Sequence, residues 1–147
     1  YDEKVVRRFM SQPGKKVVSG GTTANIVSRV TGSPLKVDLS YYDVNVPPTG
    51  YLDGVDLVTE GLLTLNTVVE RLKNMEALRT STNEDGATRL AKMLVDSDLI
   101  AIYAGGAINP AHQNPNFPLN INFKAQVLNK LQDILVSRGK DITIEWL

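Results

Sequence analysis

Three apolar runs of strand character each break into a polar, glycine-containing loop. They are Val17-Val18-Ser19-Gly20-Gly21-Thr22-Thr23, Leu57-Val58-Thr59-Glu60-Gly61 and Ile102-Tyr103-Ala104-Gly105-Gly106-Ala107-Ile108-Asn109-Pro110-Ala111-His112. A strand that feeds a helix through a tight glycine turn is the unit from which parallel α/β sheets are wound. In such sheets the loops after the strand carboxyl ends gather at one edge, where ligands bind. The repetition therefore constrains the fold class and also predicts where a site lies: around positions 20, 60 and 108.

Helical and strand periodicities fill the space between these runs. Val5, Val6, Phe9 and Met10 recur at helical spacing behind Asp2 and Glu3, and Pro13-Gly14 ends that helix. Lys16 to Ser19 reads as a short strand. The next run is rich in β-branched residues, yet Thr23, Ile26, Val27 and Val30 keep the i, i+3, i+4, i+7 rhythm of a helix. Thr22 or Thr23 is the expected cap, and Gly32 with Pro34 the stop. Leu35, Val37 and Leu39 alternate with Lys36 and Asp38, which predicts a half-buried strand.

After a Pro47-Pro48 loop, residues 51 to 58 supply another strand centred on Val55 to Val58. Leu65, Val68, Val69 and Leu72 mark the clearest amphipathic helix. Asn74 to Gly86 reads as a polar loop, with Ser81 and Glu84 at capping-box spacing before a helix that buries Ala87, Leu90, Ala91 and Leu94. Leu99 to Ala104 is almost wholly apolar, as for a strand covered on both faces. Gly105 to Asn122 holds three prolines and five asparagines, and a loop of that length is commonly functional. A helix from about Lys124 to Ser137 and an alternating strand, Ile142 to Trp146, close the chain. The expected architecture is one α/β domain over 1–147: a three-layer, mostly parallel, Rossmann-like sheet with helices on both faces and scope for an antiparallel edge strand.

Composition removes several function classes. The 147 residues include no cysteine, so disulfides, thiolate metal sites and cysteine nucleophiles are all excluded, in keeping with a cytoplasmic location. Sixteen basic and sixteen acidic residues cancel. Nucleic-acid binding needs a basic excess, and the only adjacent basic pairs are Arg7-Arg8 and Lys15-Lys16, so no nucleic-acid partner is expected. No stretch approaches the roughly 18 apolar residues of a membrane helix. The chain opens on Tyr1 and not on methionine, and is expected to be part of a longer protein.

Each loop admits a chemical and a structural reading. Gly20 and Gly21 permit close backbone approach, and a helix starting at Thr22 or Thr23 offers free N–H groups to a phosphate or carboxylate. The spacing is neither a P-loop nor GxGxxG, and a plain strand-to-helix turn fits equally. Glu60, just past a strand end, suits a ribose hydroxyl, a metal, a substrate amine or a neighbouring loop's backbone. Asp53 and Asp56 are expected to flank a strand more than to bind metal.

The third loop offers Gly105, Gly106, Asn109 and His112. His112 is the only histidine, which rules out a two-histidine metal site within one chain. It serves either as an acid/base near neutral pH or as a partner for loop backbone. A Ser19–His112–Glu60 triad lacks the GxSxG elbow. Asp53-Gly54 and Asp85-Gly86 read as turns, and Tyr41-Tyr42 as packing beside a loop.

The strings Gly20-Gly21-Thr22-Thr23-Ala24-Asn25-Ile26-Val27, Asp56-Leu57-Val58-Thr59-Glu60-Gly61 and Ala107-Ile108-Asn109-Pro110-Ala111-His112-Gln113-Asn114-Pro115 resemble the C-terminal region of the stage II sporulation protein E family. Members are bacterial serine phosphatases of the metal-dependent 2C type. The resemblance implies an accessory, regulatory domain beside a serine/threonine phosphatase domain, itself non-catalytic and without a cofactor. Mg²⁺ or Mn²⁺ would belong to the phosphatase core. If instead the opening helix and Ser19 to Val27 end that core, Gly20 or Gly21 stands where a metal aspartate belongs.

The expected function is thus sensing of a small anionic ligand, or docking of a partner protein, at the three-loop edge. Gly20, Gly21, Thr22 and Thr23 would hold the anion, with Glu60, Asn109 and His112 selecting its polar groups. Ligand contacts would favour one arrangement of the 105–119 loop. The alternatives are a small-molecule hydrolase or transferase using Glu60 or His112, and a structural module that packs its first helix on another domain.

Overall fold

A computed structural model describes residues 2–40, 43, 45–105 and 119–147. The chain divides into two compact units, Tyr1–Lys92 and Met93–Leu147, each with its own sheet.

The first unit opens with α1 (Asp2–Ser11), β1 (Val17–Ser19) and α2 (Gly21–Thr31). Short strands β2 (Lys36–Val37), β3 (Gly50–Tyr51) and β4 (Leu57–Thr59) follow, then α3 (Leu62–Leu72), α4 (Met75–Thr80) and α5 (Gly86–Val95), whose last turn crosses the division. The strands form one sheet in the order β1-β4-β3-β2. β1 and β4 run parallel in the register Val17↔Leu57, Val18↔Val58, Ser19↔Thr59, whereas β3 is antiparallel to β4 and β2 antiparallel to β3. The sheet is therefore mixed, and not mostly parallel as the strand–helix alternation suggests. The reason is connection length. Parallel neighbours need a crossover of a dozen or more residues, and only residues 52–56 separate β3 from β4, around the Asp53-Gly54 turn where Gly54 takes φ 81.

β4 is buried at all three positions because helices cover both its faces. Val58 joins Val6, Val18, Ala24, Val27 and Leu52 in the cluster closed by α1 and α2. Thr59 points the other way, as alternation requires: a Cβ added to Gly86 of α5 would sit 3.5 Å from its methyl. Fully buried Leu57, Val68, Val69 and Leu72 belong to the deepest side chains of this unit, each contributing about 1.5–3 kcal/mol by burial.

Three local expectations change. The 74–86 segment is not all loop: Asn74 caps α4 by accepting from Ala77 N at 3.1 Å. The cap of α5 is Asp85, which accepts from Thr88 N at 2.8 Å, in place of the Ser81/Glu84 box. The 51–58 strand is divided, with β3 ending at Tyr51 and β4 starting at Leu57.

The second unit is a β–α–β unit: β5 (Leu99–Ala104), α6 (Leu119–Ser137) and β6 (Asp141–Trp146). β6 pairs parallel to β5 from Leu99↔Asp141 to Ala104↔Trp146, so the closing strand is not the antiparallel one. Ile100 and Ala104 are buried, as are Val127, Leu128, Leu131 and Leu135 of α6. Leu99, by contrast, is 69% exposed, so β5 is not covered on both faces throughout. Gly139, at φ 80, terminates α6, and Lys140 N returns to Leu135 O at 3.0 Å. Among the described residues no helix is long and apolar enough to cross a membrane.

Candidate functional site

Two of the three glycine loops meet. β1 and β4 are adjacent parallel strands, so their carboxyl ends deliver Gly20 and Gly61 to the same edge. Gly20 N donates to Thr59 O at 2.9 Å, and the Ser19 and Thr59 hydroxyls lie 2.8 Å apart. Gly20 takes φ 108 and Gly61 φ 142, conformations that side-chain-bearing residues rarely adopt. A Cβ on Gly61 would stand 3.4 Å from the Gly20 Cα. The two turns thus lie against each other, and the positive φ at each favours glycine.

Each glycine is followed at once by a helix. α2 begins at Gly21 with Gly20 as its cap residue, and α3 begins at Leu62 capped by Gly61. Neither Thr22 nor Thr23 caps α2; both lie exposed inside its first turn, and neither helix has a side-chain cap bond. The first amides to find helical acceptors are Ala24 N, on Gly20 O, and Leu65 N, on Gly61 O, each at 2.9 Å. The N–H groups of residues 21–23 and 62–64 precede those bonds and have no helical acceptor. The two helix starts carry about half a unit of positive charge apiece and lie side by side. No aspartate or glutamate occupies either first turn to neutralise them.

Glu60 sits between the strand end and Gly61, exposed, with its carbonyl oxygen 3.9 Å from where a Gly20 Cβ would be. Thr64, the third residue of α3, is fully buried, and its hydroxyl has no partner among the described residues. Ser19 ends β1 and is engaged with Thr59. Gly105 belongs to the second unit, immediately after β5. Gly106, Asn109 and His112 lie outside the described residues, as does the histidine member of the Ser19–His112–Glu60 triad.

One feature of the site is less evident from sequence patterns, the contribution of α3: its start is the second half of the edge, signalled by Thr59-Glu60-Gly61 directly before a helical repeat. Within the second unit, separately, the Lys124 ammonium donates to Gly105 O at 2.6 Å at the end of β5. Burial pushes its pKa below the ordinary 10.5.

The donors at the β1/β4 edge are hydroxyls and amides, which suit an anion and not a divalent cation. Asp53 and Asp56 are both exposed, and Asp56 accepts from Lys16 N at 2.7 Å. Among the described residues no three histidine, aspartate or glutamate side chains come together to hold an ion. Among the described residues no side-chain set matches the metal centre of a 2C-type phosphatase. Comparison of the chain with known protein families, with curated proteins and with solved structures finds no match.

Proposed function

We propose that the first unit binds a small anion, a phosphate or carboxylate group, across the paired starts of α2 and α3. The observation that carries this reading is the close approach of Gly20 and Gly61, which sets two helix starts without side-chain caps next to each other. One helix start favours an anion by about 0.3–1 kcal/mol when exposed; two aligned on one group act together. The ligand lies where a Rossmann-like fold would place it, outside the carboxyl ends of parallel strands. Gly20, Gly21, Thr22 and Thr23 supply one side, and Gly61 with the start of α3 the other. Glu60 flanks the anion and disfavours ligands with negative charge on that side.

In the context implied by the resemblance to the sporulation protein E family, the domain is an accessory, ligand-sensing module of a serine/threonine phosphatase. Chemistry then resides in another domain, and ligand binding here shifts the population of its own conformers.

Titration of the ¹⁵N-labelled chain with inorganic phosphate tests the binding. Amide shifts are expected at residues 20–24 and 61–65, and chloride at matched ionic strength leaves those peaks in place. Thr22→Glu puts a carboxylate on the α2 start, so this variant is expected to gain stability and lose the phosphate response. Equal shifts with chloride, or an undiminished response in Thr22→Glu, overturn the proposal. Phosphatase or esterase turnover by this chain that disappears in Glu60→Gln overturns the accessory role.

A further inference from the structure

Alternation along Leu35-Lys36-Val37-Asp38-Leu39 predicts a half-buried strand, yet Val37 is 60% exposed and Leu39 80% exposed. The segment contains β2, the edge strand of the first sheet, paired on one side only among the described residues. Antiparallel strands direct the backbone groups of alternate residues toward and away from the neighbour. Asp38 N donates to Thr49 O at 2.8 Å, and the register sets Lys36 opposite Tyr51 and Val37 opposite Gly50. Lys36 and Asp38 therefore turn their backbone groups inward to β3, and Val37 turns its N–H and C=O outward, to the free edge.

The segment is also palindromic in its chemistry. Laid antiparallel on a second copy about Val37, it sets Val37 against Val37, Leu35 against Leu39, and Lys36 against Asp38, each of the last two twice by symmetry. All apolar pairs share one face and both opposite-charge pairs share the other. The Asp38 carboxylate stands on the same face as the Tyr51 hydroxyl, which donates to it at 2.8 Å, and keeps acceptor capacity for an incoming ammonium. A lone lysine on an edge strand normally guards against pairing; here the same operation that brings up Lys36 brings up its counter-charge.

We propose that this chain self-associates through the free edge of β2, Leu35–Leu39 of two copies pairing antiparallel about a two-fold axis at Val37. The two four-stranded sheets become one, the Val37 pair exchanges two backbone hydrogen bonds, and Leu39 gains an apolar neighbour. The contact is isologous, as a closed dimer requires. It is smaller than a standard interface, so the dimer is weak and depends on concentration.

Sedimentation equilibrium of the intact chain over a wide concentration range provides the test, with thermal melts confirming that each variant folds. The native chain is expected to show a monomer–dimer equilibrium in which Val37 amide exchange slows as concentration rises. Lys36→Asp leaves only acids on the paired face and Asp38→Lys only bases, so each alone should dimerise about tenfold or more weakly. Mixed together, the two variants should form a heterodimer at native strength or above. A native chain that stays monomeric at every concentration overturns the proposal. So does a dimer that is indifferent to both substitutions, or a mixture of folded variants that fails to associate.

Discussion

Replacing Asp85 tests how the first unit is held together. Its side chain is 1% exposed and makes three polar contacts: Thr88 N at 2.8 Å, Thr88 Oγ1 at 2.9 Å and Arg71 Nη1 at 3.7 Å. Asp85→Ala deletes the cap of α5, a loss of about 1 kcal/mol in typical helices. It also removes a charge-assisted partner from the buried Thr88 hydroxyl, worth about 1.5–3 kcal/mol. Arg71 softens the total, because its side chain is 30% exposed and keeps Thr88 Oγ1 at 3.0 Å, so its charge is not stranded. The combined expectation is a loss of about 2–4 kcal/mol. Asp85→Asn retains one acceptor for Thr88 N but turns a donor toward Arg71, and should lose about half as much. Urea denaturation followed by far-UV circular dichroism, together with hydrogen exchange at the Thr88 amide, reads both. A loss below about 0.5 kcal/mol for Asp85→Ala, or equal losses for Ala and Asn, would refute the network.

Three further outcomes are expected. Gly61→Ala forces a side chain into φ 142 and should cost about 1–3 kcal/mol, with the amides of residues 20–21 shifting because the new methyl meets Gly20; silent amides there would contradict the paired turns. Gly86→Ala places a methyl 2.9 Å from Thr49 Cγ2, so overpacking of about 1–3 kcal/mol outweighs the gain in helix propensity, and a higher melting temperature would refute the packing of α5. Hydrogen bonds from the Ser40 side chain and backbone, and then from Tyr51, hold the Asp38 carboxyl below its ordinary 3.8. Because the folded value is depressed, its contribution to stability is complete above the ordinary value and is lost as pH falls through the lowered one. Carboxyl ¹³C titration should show Ser40→Ala moving that midpoint upward, and an unmoved midpoint counts against the assignment.

Periodicity carried the helices well, because apolar positions three and four apart have one efficient way to be buried. Val5 to Met10, Leu65 to Leu72 and Ala87 to Leu94 each lie in a helix. Elsewhere, neighbouring signals compete and the local pattern misleads. Thr22 and Thr23 have the chemistry of caps, but Gly20 already takes the cap position at positive φ and pulls both threonines into the helix. Polar Asn74 to Thr80 has the composition of a loop, because its single buried anchor, Leu78, is too sparse to show a period.

The sequence alone determined an alternation of helices and strands, a balance of charge, and glycine turns placed directly between strand ends and helix starts. Those are local properties, written in steric freedom and in spacing along the chain. Which strands became neighbours was a tertiary outcome. The order β1-β4-β3-β2 brought Gly20 to Gly61 across about forty positions and left Val37 exposed on an edge that is unpaired among the described residues. No window of residues encodes such a juxtaposition, since it depends on which pairing of strands buries the most apolar surface while satisfying the backbone of all the others.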